Sequence, residues 1–155
     1  MNEAQWTSAI KFLETAMRMY KQQPDFNLAM GQCYMELNKH DEAIIYFGNV
    51  VRLKPKNVNG WLELLKCLYK ATLFNDALVY VDFAYEQTEA KPIFLYYKSA
   101  IQFALGKSKE GLLQLDIAMT KNPKLIKKFI ELNPSILQNQ HVVDVIARYK
   151  KKKSI

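Results

Sequence analysis

Apolar and polar residues recur along the chain with the spacing of an α-helix. In residues 41–53 the apolar side chains follow one helical stripe, namely Ala43, Tyr46, Phe47, Val50 and Val51. Residues 61–71 carry the same spacing, and short polar links separate such segments. The pattern predicts an all-α protein with helices near 4–20, 25–38, 41–53, 58–71, 75–88, 92–105, 108–120, 124–132 and 140–150.

The helical pattern repeats every 34 residues. One column of the repeat is small throughout, with Ala9, Ala43, Ala77 and Gly111. A second column is apolar, with Leu13, Phe47, Val81 and Leu115. Helix pairs that repeat in this way bury little surface alone and must stack on their neighbours.

The repeat resembles the tetratricopeptide family, whose pattern is W-x2-L-G-x2-Y, then A-x3-F, then P. Residues 24–57 match it best, through Gly31, Tyr34, Ala43, Phe47 and Pro55, with Asn27 in place of the tryptophan. Residues 58–91 match through Trp61, Leu64, Ala77 and Ala84, and residues 92–125 through Gly106, Ala118 and Pro123. In the last repeat Lys98 and Ser99 replace the leucine and glycine, which predicts an irregular first helix.

The resemblance implies a right-handed α-solenoid of antiparallel helix pairs, a tetratricopeptide-like superhelix. We expect one domain over 1–155, divided into a half repeat 1–23, repeats 24–57, 58–91 and 92–125, a non-repeat C-terminal helical cap 126–149 and a basic tail 150–155. Two explanations remain for the half repeat. It is either a genuine cap or the continuation of a longer solenoid.

Charge is concentrated at the C-terminal end. The net charge is +7, but residues 1–120 hold 13 basic and 13 acidic residues. Residues 121–155 hold the remaining nine basic and two acidic residues. Such a lysine run favours a solubilising terminus over contact with nucleic acid or an anionic surface. The charges within the N-terminal apolar stretches argue against a signal peptide, and two cysteines fit a reducing compartment. We expect a cytoplasmic protein, and the lysine, asparagine and isoleucine usage suggests a bacterial source.

No catalytic motif is visible in the sequence. A P-loop, a G-x-G-x-x-G and a G-x-S-x-G are all missing. His40 and His141 are expected on the surface, and Cys33 and Cys67 are expected in the core, with a redox pair or metal site as the lesser alternative. We therefore expect no enzyme activity, no cofactor, no metal and no small-molecule substrate.

The resemblance implies that the first helix of each pair lines a concave groove for a peptide or partner helix. The residues expected to face it are Gln32, Met35, Glu36, Asn59, Leu62, Lys66, Tyr69, Lys70, Tyr96, Ala100 and Phe103. Lys66 and Lys70 lie one turn apart and could hold a carboxylate. The two-carboxylate clamp of some family members is not matched, which argues against chaperone-tail binding.

The predicted function is therefore a protein-interaction module or scaffold. Two alternatives stay open: self-association as a homo-oligomer through the terminal helices, and contact of the basic tail with an anionic surface or nucleic acid.

Overall fold

The computed structural model describes residues 2–20 and 23–153, with side chains up to Lys150. The side chains of residues 151–153 in the predicted basic tail, and all of residues 154–155, lie outside this description. Within it every regular element is helical: α1 Glu3–Met19, α2 Pro24–Glu36, α3 His40–Leu53, α4 Val58–Lys70, α5 Phe74–Gln87, α6 Ile93–Ala104, α7 Ser108–Lys121, α8 Ile126–Leu132 and α9 Gln140–Lys153. Two 3-10 turns, Pro123–Leu125 and Pro134–Gln138, flank α8.

The predicted all-α fold is confirmed. The bounds of the predicted helices agree with the structure to within three residues, the largest difference being the end of α9. Among the described residues no helix is long and apolar enough to cross a bilayer.

The first helix of each predicted pair ends in the same way. After α2, α4 and α6 the backbone turns into the left-handed region at Asn38 (φ 56°), Thr72 (φ 59°) and Gly106 (φ 76°). The next amide in each case donates to a carbonyl five residues back, as in Leu73 to Leu68 at 2.9 Å. This is the Schellman arrangement, which satisfies the last carbonyls of a helix. These residues are 34 apart, so the repeat includes the turn as well as the helices.

The chain divides into two compact units, residues 1–73 and residues 74–155. The division falls inside the predicted repeat 58–91, between its two helices. In unit 1, α1 packs on α2, α2 on α3 and α3 on α4. The α2–α3 contact is close because Gly31 lies against the ring of Phe47, which is completely buried.

The family tryptophan position holds a buried polar side chain in α2. Asn27 is 2% exposed. Its amide nitrogen donates to the Gln23 carbonyl, and its side-chain oxygen accepts from the amide of Asn49 in α3, both at 3.1 Å. Both ends of the Asn27 amide are thus satisfied, which removes most of the cost of burying a polar group.

In unit 2, α6 is the central helix and packs against α5, α7 and α8, while α9 packs on α7. The expected irregularity at Lys98 and Ser99 is corrected, since α6 is continuous through both residues. Lys98 Nζ lies 2.8 Å from Asp82 Oδ1 in α5. The Ser99 hydroxyl is buried and donates to the Gly111 carbonyl at 2.7 Å. Both replacements therefore join α6 to a neighbouring helix.

Candidate partner-binding groove

Unit 1 contains an open groove of about 650 Å³ between α1, α2 and α4, here called the unit 1 groove. It is lined by Trp6, Ala9, Phe12, Leu13, Ala29, Gln32, Cys33, Met35, Glu36, Glu63, Lys66 and Lys70. This volume is within the range of small-molecule sites in proteins, about 300–1,000 Å³.

The α1 side of the groove is apolar. Ile10 is buried against Met30 and Cys33 of α2, which fixes the rotation of α1. With Ile10 turned inward, Trp6 and Leu13 are only partly buried, and Phe12 is 72% exposed. Exposed aromatic and aliphatic side chains beside a concavity are typical of a surface that binds another molecule.

The α4 side of the groove is charged. Lys66 and Lys70 lie one helical turn apart, and Lys66 Nζ is 3.7 Å from Glu63 Oε1 on the same helix. The Lys66 side chain keeps 43% of its exposure. A partly exposed pair of this kind is worth little in free energy. A carboxylate from another molecule could therefore compete with Glu63 for the lysine.

The structure brings together part of the predicted groove set. Five of the predicted residues line the unit 1 groove, namely Gln32, Met35, Glu36, Lys66 and Lys70. Three further predicted residues of α4 do not line it: Asn59, Leu62 and Tyr69. The groove is therefore centred on the α1–α2 side of unit 1.

Tyr96 and Ala100 were expected to face the groove, and the structure corrects this. Tyr96 is completely buried and Ala100 is 4% exposed. The reason is that α8 packs on α6. The centroid of the Phe129 ring in α8 lies 6.3 Å from the centroid of the Tyr96 ring. The Tyr96 hydroxyl donates to the Asn122 carbonyl at 2.7 Å. Both residues belong to the core of unit 2.

Phe103, the third predicted residue of α6, is half-buried. The centroid of its ring lies 6.5 Å from the centroid of the Phe129 ring, and the Phe103 ring also packs over Gly111 of α7. A Cβ added at Gly111 would come within 2.9 Å of the Phe103 ring. Phe103 thus has a packing role inside unit 2.

The groove residues that the sequence analysis missed are mostly on α1, with Trp6, Phe12 and Leu13 as the largest. The prediction assigned the groove to the first helix of each pair, whereas α1 corresponds to a second helix. Trp6 and Leu13 nevertheless share the apolar stripe of α1 with Ile10 and Met17. Only part of that stripe is buried against α2. Among the described residues of α1, Ile10 is the one that is buried, so the rest of the stripe keeps apolar surface in contact with solvent.

The cysteines have the character of core residues. Both Cys33 and Cys67 are free and buried. The pKa of the Cys67 thiol is raised to about 11, chiefly by burial. Lys70 lowers this pKa to a smaller extent, and Glu63 and Asp41 raise it. Burial and the nearby Glu36 also raise the pKa of Cys33. Thiols held protonated are poor nucleophiles. Across the described part of the chain, no three His, Cys, Asp or Glu side chains converge as a metal site would require.

Comparison with known proteins places this fold in a class. The family model described as tetratricopeptide repeat (TPR) matches residues 1–47. No curated protein matches the chain. The crystal structure of MamA is similar with a TM-score of 0.70 at 12% identity, covering 96% of this chain and 89% of that one.

Two further solved structures are also similar. YrrB, a TPR protein with an unusual peptide-binding site, gives a TM-score of 0.61 at 16% identity, covering 91% of this chain and 66% of its own. TTC0263, a thermophilic TPR protein in Thermus thermophilus, gives 0.61 at 15% identity, covering 98% and 92%. At these identities the likeness concerns the fold.

The resemblance of this chain to the tetratricopeptide repeat family is confirmed by both findings. The family model matches its first helices, and solved TPR proteins share the fold of nearly all of it. Proteins of this fold are generally protein-interaction modules, and typically they are scaffolds without catalysis.

Proposed function

We propose that this chain is a protein-interaction module without catalytic activity, and that its unit 1 groove binds an amphipathic peptide or helix of a partner protein. The observation that carries the proposal is the pairing of two walls in one groove. Phe12 and Leu13 offer apolar area on α1, and Lys66 and Lys70 offer positive charge on α4. A segment with bulky apolar residues on one side and a carboxylate on the other would be complementary to both walls.

The energetics favour anchoring by the aromatic side. Aromatic residues bury a large area at low entropic cost and dominate many interfaces. The lysines are solvated, so they contribute more to orientation and to the rate of association than to affinity. We expect a dissociation constant on the order of micromolar, which is about −8 kcal/mol.

The experiment is a pull-down from lysate of the source organism at low and high salt. One bait is the native chain, and a second carries Phe12→Ser with Lys66→Glu. A matched control carries Phe83→Ser with Lys54→Glu, which changes the same residue types outside the groove; Phe83 is 49% exposed on α5. We expect a partner that is retained by the control at high salt and lost from the groove variant.

The other outcomes assign the function elsewhere. A partner that is retained by the groove variant but washed off by salt would move the function to the basic C-terminal end. Recovery of the chain itself as the principal partner would favour self-association. Equal retention by the groove variant and the control at high salt would contradict the groove proposal.

A further inference from the structure

Unit 2 contains a second, smaller concavity that the proposed function does not use. It has a volume of about 400 Å³ and lies beside the 3-10 turn Pro123–Leu125, with α7, α8 and α9 around it. We call it the α9 pocket. Its lining is of two kinds, apolar (Met119, Pro123, Ile126, Ile146 and the Tyr149 ring) and basic (Lys124, Lys127 and Lys150).

Each element that contributes a lysine is anchored by a separate aromatic residue. The turn carrying Lys124 is held by the buried Tyr96 hydroxyl, which donates to the Asn122 carbonyl at 2.7 Å. Helix α8, which carries Lys127, is held by the buried Phe129 ring. The backbone around the pocket is therefore preorganised, although the lysine side chains themselves remain adaptable.

The third element, α9, is held by Tyr149. The Tyr149 hydroxyl donates to the Asp116 carboxylate of α7 at 2.9 Å. This bond holds the segment of α9 that carries Tyr149 and the next residue, Lys150, both of which line the pocket. A single preorganised concavity thus receives positive charge from three separate elements.

The charged side chains among the described lining residues are of one sign. Of the described residues that line the pocket, three are basic and none is acidic. Lys128 follows Lys127 directly in the sequence but does not line the pocket. Positive groups around an apolar floor favour a ligand that presents an anion and an apolar body together.

We propose that the α9 pocket binds a small anionic amphiphile, an apolar chain that ends in a carboxylate, with Lys124, Lys127 and Lys150 around the carboxylate and Met119, Ile126 and Ile146 against the chain. The pocket is compact, and its charges surround one apolar floor. An acidic helix would need an extended groove with its charges in a row. Nucleic acid would need a run of phosphate contacts, which a single apolar concavity does not offer.

The test is titration calorimetry of the full chain with decanoate below its micelle concentration. We expect decanoate to bind, and decanol or acetate to bind at least about tenfold more weakly, because each lacks one half of the recognised chemistry. Lys127→Gln should weaken decanoate binding about threefold, and Lys124→Gln with Lys127→Gln about tenfold, as expected for partly solvated ion pairs. Lys128→Gln is the matched control and should leave binding unchanged.

Several results would overturn the proposal. Absence of decanoate binding would do so directly. Equal weakening by Lys127→Gln and Lys128→Gln would show general attraction to a basic surface, and equal binding of decanol would show an apolar contact without anion recognition. Binding only to anionic vesicles would reassign the pocket to a membrane surface, and binding only to an acidic amphipathic peptide would reassign it to a protein partner. All of these substitutions lie on exposed lysines, and a melting curve of each variant verifies that the fold is kept.

Discussion

At the scale of single residues, the glycine with the least room for a side chain is Gly31, which lies against Phe47. A Cβ at position 31 would lie 2.6 Å from Cδ1 of the Phe47 ring. Phe47 is completely buried, so its ring cannot turn away into solvent. The glycine at position 31 therefore leaves the room that the Phe47 ring occupies.

We expect Gly31→Ala to lower the free energy of unfolding by about 1–3 kcal/mol, as overpacking of a core does. The control is Gly48→Ala in α3, where nothing lies within 4 Å of the added Cβ. This control should raise stability by about 0.5–1 kcal/mol, because alanine favours the helix over glycine. Urea unfolding of both variants would measure the difference, and a neutral Gly31→Ala would contradict the contact.

A second prediction at the residue scale concerns Cys67 and pH. Its pKa is raised from 9.0 to about 11 in the fold. The folded state therefore binds the thiol proton more tightly than the unfolded state does. The contribution of Cys67 is fully present below pH 9.0 and is lost as pH rises through about 11. Burial likewise raises the pKa of Tyr96, so its deprotonation also opposes the fold at alkaline pH.

We expect the urea midpoint of the native chain to fall over this pH range, and Cys67→Ala to show a smaller fall. The cavity left by the substitution lowers the midpoint at every pH, so the slope is the quantity to compare. A slope that is the same in both proteins would show that Cys67 does not contribute.

At the scale of elements, the ends of α2, α4 and α6 form a natural comparison. The same left-handed position holds Asn38, Thr72 and Gly106. Glycine adopts this conformation without strain and asparagine tolerates it, whereas a β-branched residue does so at a cost. Thr72 is therefore the strained member of the set.

We expect Thr72→Gly to raise the free energy of unfolding by about 1 kcal/mol, since it removes the left-handed strain. Gly106→Ala should act in the opposite direction at the equivalent position. Thermal unfolding followed by circular dichroism would measure both changes. A loss of stability in Thr72→Gly would indicate that the threonine side chain makes contacts that outweigh its strain.

The helices were predictable because their signals are local and repeated. One apolar stripe recurs in the half repeat and in all three full repeats, so the same helix bounds are indicated several times. Positions 38 and 106, where the chain turns, hold asparagine and glycine, which suit a left-handed turn. The groove was less predictable, because the exposure of a groove side chain depends on whether a helix from elsewhere in the chain packs over it. Tyr96 occupies a groove position in the repeat, yet α8 covers it, and no feature within the repeat predicts that coverage.

At the scale of the whole molecule, the repeat also places apolar residues outward. Ile45, Val79 and Leu113 are 34 residues apart and are 63%, 55% and 64% exposed. They occupy equivalent positions on α3, α5 and α7. Because all three side chains are largely exposed, we expect them to contribute little to the free energy of unfolding. They instead offer apolar surface at which copies of the chain can associate.

We expect the combined substitution Ile45→Gln, Val79→Gln and Leu113→Gln to leave the melting temperature within about 3 °C of the native value, as is usual for surface changes. It should also raise the protein concentration at which light scattering begins to increase. Leu115→Gln, at a completely buried position two residues from Leu113, should instead unfold the protein. A large loss of melting temperature in the triple variant would show that these residues are part of a core.

Equivalent positions of the repeat hold different residues with different contacts, and this limits which helices can be exchanged within the chain. Position 31 is a glycine matched to Phe47, while the equivalent position 99 is a serine whose hydroxyl donates to the Gly111 carbonyl. Position 27 is an asparagine matched to Asn49. Each helix thus fits the particular neighbour it has. A chimera that exchanges α2 with α6 would place the Ser99 hydroxyl against the Phe47 ring. It would also separate the Asn27 amide from its partner Asn49. The repeats share a period but are not interchangeable modules, so their order along the chain is itself part of what the sequence specifies.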